Sequence, residues 1–148
     1  MVTVKKVNKS KIEQLVRISY ALDFEGFDKY HLEKFSYDEA VQKTVSMIEG
    51  VEELTPLKYY EVLYGSEPIG YFVFFKECLY SFCIAKSHRS KKNVLVDFWA
   101  EMKKIIDDVF VCLLHKNNTR AIAFLQKMGM KVVDIDFREK DLITFINI

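Results

Sequence analysis

The chain carries no excess of either charge. Its 22 lysines and arginines meet 21 acidic residues, for a net charge of +1. No global field therefore selects nucleic acid or an anionic membrane as a partner. There is no arginine-rich array and no zinc-finger spacing. Cysteine is scarce: Cys78, Cys83 and Cys112 are odd in number, lie at apolar positions and form no CxxC pair. They read as buried free thiols in a reducing compartment, as small core hydrophobes rather than a metal site or nucleophile. His31, His88 and His115 are scattered and make no HExxH, so no metal is expected. The opening MVTVKKVNKS lacks the apolar core of a signal peptide, and no stretch approaches the roughly 20 apolar residues of a membrane span. Repeats, low-complexity tracts and linkers are also missing. The expectation is one soluble, cytoplasmic domain over residues 1–148.

What is present suits a packed core. Half of the residues are hydrophobic and 14% are aromatic, which argues against disorder. Residues 2–7 alternate around lysines and read as a first strand. Ser10 with Glu13 and Ser36 with Glu39 form two capping-box patterns, each ahead of a helical apolar stripe. The second stripe is Tyr37, Val41, Val45 and Ile48, with Gly50 as its expected stop. Residues 57–64 and 71–75 flank the turn GSEPIG and predict a hairpin. Residues 79–85 are nearly all apolar and predict a central strand covered on both faces.

A basic loop, KSHRSKKN at residues 86–93, follows. Leu95, Phe98, Trp99 and Met102 then repeat at helix spacing, up to Asp108. Residues 109–114 predict a strand, and NNTRAIAFLQKMGMKV at 117–132 predicts a short helix with an amide start and a glycine stop. Residues 132–136 and 142–146 read as a closing hairpin around FREK. Phe98, Trp99, Met102, Ala121, Phe124 and Leu125 are expected to be mostly buried. The order β-α-α-β-β-β-α-β-α-β-β, with a β-loop-α-β-α stretch inside it, implies one parallel crossover in an otherwise antiparallel sheet.

This order, with two local patterns, resembles the GNAT family of acyl-CoA-dependent N-acyltransferases across nearly the whole chain. In the first pattern, Asn118, Ala121, Gly129 and Met130 match N-x-x-A followed by an apolar helix face, a glycine and an apolar residue. In the second, Ile84 and Arg89 match the ends of V-x-P-x-x-R, with Lys86 in place of the proline. The resemblance implies an α+β fold: a mixed, mostly antiparallel sheet of six or seven strands, with parallel central strands splayed apart and helices flanking it. It implies acetyl-CoA as cofactor, with backbone around Phe82 and Ile84 on the pantetheine, Arg89, Lys92 and Asn93 at the phosphates, and Asn118 beside the cofactor arm.

The family pattern is broken at three places. Lys92 and Val94 stand where loop glycines are expected, and neither gives the positive φ or close phosphate approach of glycine. His88, Arg89, Lys91 and Lys92 offer side-chain charge instead, or form an ordinary solvated charge run. Leu125 stands where many members have an acidic tyrosine. Tyr80 stands where many place a glutamate base; Glu77 and His115 are nearby alternatives whose plainer roles are turn and helix-entry residues.

Two functions are consistent with these residues. One is a divergent N-acetyltransferase moving an acetyl group from acetyl-CoA to a primary amine of a small molecule or protein, with the acceptor entering over residues 24–37. The other is a catalytically inactive GNAT-like protein with protein assembly partners. The Asn-Thr helix start, the Phe-Leu pair and the closing hairpin also resemble small GNAT-like proteins of tailed phages, including a virion component.

Overall fold

The computed structural model describes residues 1–21, 36–116, 118–133 and 142–147. His31, most of the aromatic segment over residues 24–37, and the FREK turn lie outside these residues.

Strand β1 (Val2–Val7) opens the chain and leads through a single 3-10 turn (Lys9–Lys11) into helix α1 (Ile12–Ala21). Ser10 sits inside that turn, which starts at Asn8, so the first capping box does not form as expected. The second does: Ser36 Oγ accepts the Glu39 N–H at 3.2 Å and starts α2 (Tyr37–Leu54). Gly50 does not stop this helix. The loss in helix propensity is about 1 kcal/mol, and the helix runs four residues further, to Leu54. Thr55 ends it in extended conformation (φ −155, ψ 141), because the next residue, Pro56, disfavours a helical residue before it.

Strands β2 (Lys58–Tyr64), β3 (Glu67–Phe75) and β4 (Cys78–Ile84) form an antiparallel meander. The stretch expected to be a basic loop instead contains a helical turn, α3 (Lys86–Arg89). Helix α4 (Val94–Ile105), strand β5 (Val111–His115), helix α5 (Thr119–Lys127), and strands β6 (Lys131–Val133) and β7 (Leu142–Ile146) complete the chain. β5 begins later than expected because the Phe110 N–H is taken by the Asn147 side chain at 2.6 Å.

The result is a seven-stranded sheet in the order β1-β2-β3-β4-β5-β7-β6, in which β4 and β5 are the parallel pair. Helices α1 and α2 cover one face through Leu15, Val16, Val41 and Ile48 against Tyr59, Tyr71 and Val73. Helices α4 and α5 cover the other through Phe98, Trp99, Met102 and Leu125 against Phe72, Phe74, Cys112 and Phe145. Of the expected core residues, Phe98, Trp99, Met102 and Leu125 are buried, whereas Ala121 and Phe124 are only partly so.

A candidate cofactor wedge between β4 and β5

β4 and β5 pair over only two positions, Cys78 with Val111 and Leu79 with Cys112. The next residue is a bulge: Phe74 pairs with Leu79 and Val73 with Ser81, so Tyr80 is the extra residue on β4. A bulge bends its strand and ends pairing, and here it bends β4 where β5 stops following it. From Tyr80 to Ile84, β4 has a strand partner on the β3 side alone. β4 is central as expected and packs on both faces, Leu79, Phe82 and Ile84 on the α4/α5 side and Tyr80 and Cys83 on the α1/α2 side, but only Leu79 and Ile84 are fully buried. A row of backbone amides without a neighbouring strand, inside a sheet, is a slot for an extended ligand that carries its own amides.

The residues singled out in the sequence fall around this wedge unequally. Ile84 is buried, and Phe82 is half-buried with its ring 6.4 Å from that of Phe98. Both lie on the limb of β4 that has no strand partner on the β5 side. Asn118 caps α5, its Oδ1 accepting the Ala121 N–H at 3.3 Å. Gly129 follows with φ +89, the left-handed stop the sequence indicated. Leu125 points into the core, fully buried, so its place offers no proton donor. Tyr80 is half-buried and packs edge-on against Phe75. Like any tyrosine it is protonated at neutral pH, and burial, then the neighbouring Cys78, pushes its phenol pKa higher still, so it is a donor there rather than a base. Glu77 is exposed in the β3–β4 turn, and its carbonyl accepts the Val111 N–H at 2.8 Å at the closed end of the wedge.

The basic segment after β4 is more ordered than its composition suggests. The N–H groups of His88 and Arg89 both bond the Ala85 carbonyl at 3.0 Å, and Lys91 N–H bonds His88 at 3.0 Å. Val94 N–H reaches Lys91 at 3.3 Å. These donors are satisfied within the loop. The left-handed conformation expected of a glycine falls on Asn93 (φ 66), between the two anticipated glycine positions. Asparagine tolerates that region better than other non-glycine residues. Val94 is instead buried in the core.

His88 and Lys91 fasten the loop to the β2–β3 hairpin. His88 is buried, with Nε2 3.2 Å from Glu67 Oε2 and Nδ1 2.8 Å from Ser87 Oγ. Lys91 Nζ lies 4.6 Å from the centroid of the Tyr64 ring, and the His88 ring packs on the same tyrosine at 5.3 Å. Sequence reasoning missed this latch, since it grouped His88 and Lys91 with Arg89 and Lys92 as ligand charges. Lys92 is exposed and Arg89 half-buried. The first-turn amides of α4, at Leu95 and Val96, are donors without intrahelical partners by position.

The chain therefore fits a CoA-type cofactor in one part and departs from it in another. The wedge suits a pantetheine arm. The loop after β4 has no glycine-lined cradle; what it offers a phosphate is the half-buried Arg89, the exposed Lys92 and the N-terminus of α4.

By sequence the chain matches no family model and no curated protein. By structure it is similar to an acetyltransferase from Thermus thermophilus, with a TM-score of 0.74 at 15% identity, covering 99% of this chain and 96% of that one. The PaiA N-acetyltransferase of Thermoplasma acidophilum, solved with coenzyme A, gives a TM-score of 0.61 at 16% identity, covering 99% and 98%. A Salmonella typhimurium acetyltransferase that modifies the N-terminal serine of a ribosomal protein gives 0.67 at 12%, covering 99% of this chain and 94% of that one. Among the described residues no helix is long and apolar enough to cross a membrane. The seven-stranded sheet, its single parallel pair and that pair's early divergence are those of the GNAT acetyltransferases, and the chain has their fold.

Proposed function

We propose that this protein is a divergent acyl-CoA-dependent N-acyltransferase that moves an acetyl group from acetyl-CoA to a primary amine of a small molecule or protein, in the cytoplasm. The observation that carries the proposal is the wedge: β4 leaves β5 at the Tyr80 bulge and keeps a strand partner on one side only. Maintaining such a gap sacrifices ladder hydrogen bonds, which a bound amide-bearing arm restores. Similarity to acetyltransferases, one of them solved with coenzyme A, supports the same reading.

Each residue then has a role its chemistry permits. The backbone from Phe82 to Ile84 holds the pantetheine, and Arg89, Lys92 and the loop at Asn93 hold the phosphates with help from the α4 N-terminus. Asn118 fixes the start of α5 beside the arm. Bound acetyl-CoA supplies a thioester whose acyl carbon accepts the amine and whose thiol leaves. Tyr80, whose phenol keeps its proton at neutral pH, donates a hydrogen bond at the reacting end. Glu77 takes a proton from the incoming ammonium through water. Proximity in a water-poor wedge supplies most of the acceleration, since an amine and a thioester need little more than orientation.

The test is binding of acetyl-CoA to the purified protein. At about 100 times the dissociation constant it adds roughly 2.7 kcal/mol, or a rise in Tm of about 5–10 °C for a chain of this size. No shift and no heat of binding at millimolar acetyl-CoA would sink the proposal. One observation favours a second reading, a non-catalytic scaffold such as a virion component with protein partners. Loop donors at His88, Arg89, Lys91 and Val94 are bonded internally, which suits a loop under no demand to bind phosphate.

A further inference from the structure

The loop after β4 is held by the β2–β3 hairpin at two levels. Its backbone is anchored first: the Ala85 N–H donates to the Ile69 carbonyl of β3 at 2.7 Å. Side chains anchor it next. Tyr64 and Glu67 are the pair beside the hairpin turn, so their side chains leave the sheet on one face. His88 meets both. Its ring packs on Tyr64 with centroids 5.3 Å apart, and its Nε2 lies 3.2 Å from Glu67 Oε2. A carboxylate only accepts, so in the neutral ring Nε2–H donates to Glu67, and Nδ1 accepts from the Ser87 hydroxyl at 2.8 Å. Lys91 Nζ closes on the same tyrosine, 4.6 Å from the ring centroid.

Consecutive backbone bonds carry this hold to the start of α4. The Lys91 N–H donates to the His88 carbonyl at 3.0 Å, the Val94 N–H to the Lys91 carbonyl at 3.3 Å, and the Asp97 N–H to the Asn93 carbonyl at 2.8 Å. Arg89, Lys92 and the first-turn amides of α4 lie between or beside the held residues. A loop that takes a phosphate on long side chains loses affinity for every degree of freedom it freezes on binding. A loop fixed beforehand loses less. Resting on the acyl-transfer reading above, we infer that Tyr64 and Glu67 are positioning residues for the cofactor phosphates. Through His88 and Lys91 they hold the loop and the N-terminus of α4 ready for the anion, in place of the missing glycine cradle. An acid beside an anion site opposes binding through its field, so Glu67 serves that site only by what it holds.

The full chain is titrated with acetyl-CoA by calorimetry at low and high salt, at a temperature at which every variant is folded. Tyr64→Leu keeps an apolar side chain but no ring, and its Kd at low salt should rise about tenfold, the ordering cost of one or two side chains. Tyr64→Phe keeps the ring for His88 and Lys91 and should bind within about twofold of wild type. Glu67→Ala tests the sign. Removing an acid tightens anion binding if its charge acts through the field. Here binding should weaken at least about threefold, because the His88 ring loses its anchor. Glu67→Gln keeps an acceptor without the charge and should bind at least as well as wild type. High salt should shrink all these differences as the phosphate contacts are screened.

Wild-type affinity in either Tyr64→Leu or Glu67→Ala, with Tm alone lowered, makes the latch a matter of stability and overturns the inference. Tighter binding by Glu67→Ala does the same, as does a loss in Tyr64→Phe equal to that in Tyr64→Leu. Should Tyr64→Leu fail to fold, Glu67→Ala decides, since the Glu67 side chain is 64% exposed. Failure of the wild type to bind acetyl-CoA is a separate result: it removes the acyl-transfer reading itself, and this inference with it.

Discussion

His88 Nε2 lies 3.2 Å from Glu67 Oε2, and this contact joins the loop after β4 to the first residue of β3. The partners contribute unequally. His88 is buried and also touches Ser87 and Tyr64, while the Glu67 side chain is 64% exposed. Replacing His88 with alanine should therefore lower stability by about 2 kcal/mol, through lost packing and unpaired neighbours. Glu67→Gln should lower it by under about 1 kcal/mol, the range of an exposed pair. Urea unfolding of the two variants checks the difference, and equal losses would mean that the contact with Glu67, not the buried ring, holds the loop.

The buried face of α5 sets a second expectation. Leu125 is fully buried, whereas Phe124 is partly buried and meets Trp99 edge-on at 5.6 Å. Leu125→Ala should cost about 2–5 kcal/mol. Phe124→Ala should cost less than a full core truncation of phenylalanine, about 2 kcal/mol. A reversed order in denaturant midpoints would put the helix on the sheet by the wrong face.

Those two helix residues also mark what the sequence made legible. The α5 stripe, its Asn118 cap and its Gly129 stop are local, so spacing alone reveals them. Two apolar strands joined by a helix likewise foretell the β4–β5 parallel pair. The loop was not legible in this way. His88 reads as one charge in a basic run until a residue of another strand, Glu67, is placed beside it. Tyr80 gives no hint of a bulge, and Thr144 no hint of burial, because both depend on register across strands. Pro56 was a signal that outweighed Gly50 at the end of α2, since proline restricts the preceding residue while an interior glycine only weakens a helix.

Gly70 supports the wedge from the other side. It pairs with Ile84, and a Cβ there would collide with the Cys83 carbonyl and come within 2.7 Å of Ile84 Cδ1. Gly70→Ala should destabilise by about 3 kcal/mol, the upper end of ordinary overpacking. Since the collision pushes on the free limb of β4, acetyl-CoA affinity should fall as well. A variant of wild-type stability would mean that β4 can shift without loss.

Alkaline pH should unfold the protein early. Burial pushes the Cys78 thiol up to about 11, and raises Cys112, Tyr59, Tyr60 and Tyr80. Each group is raised above its unfolded value, so the folded state holds protons that the unfolded state has released. Stability from these groups is complete below about pH 8.5, where an unfolded thiol begins to ionise, and declines as pH rises towards their folded values. The urea midpoint should fall between about pH 8 and 10.5, with a shallower fall in Cys112→Ala. At about pH 7.5, below the ordinary thiol range, Cys112, 1% exposed, should resist a thiol reagent until urea unfolds the chain. A flat midpoint across that range would show that the thiols and phenols ionise as freely in the fold as outside it.

The loop offers the sharpest separation of enzyme from scaffold. On the acyl-transfer reading, a loop without glycines at 92 and 94 must hold phosphate by side-chain charge, so binding should weaken with salt as Coulomb attraction is screened. Arg89→Ala with Lys92→Ala should lower acetyl-CoA affinity at least about tenfold, or roughly 1.4 kcal/mol. Restoring glycine has different outcomes at neighbouring positions. Asn93 already holds the left-handed φ of 66, so Asn93→Gly should stabilise by up to about 1 kcal/mol and leave affinity intact or higher. Val94 is 2% exposed in the core at the start of α4. Val94→Gly should therefore cost about 2 kcal/mol or more through a cavity and lost helix propensity. Lys92→Gly is the clean test of close phosphate approach, because Lys92 is exposed. Isothermal titration with acetyl-CoA at low and high salt separates the readings. Salt-sensitive binding that the double alanine variant loses supports the enzyme. Binding that appears only in Lys92→Gly marks a preserved scaffold whose loop has closed to phosphate.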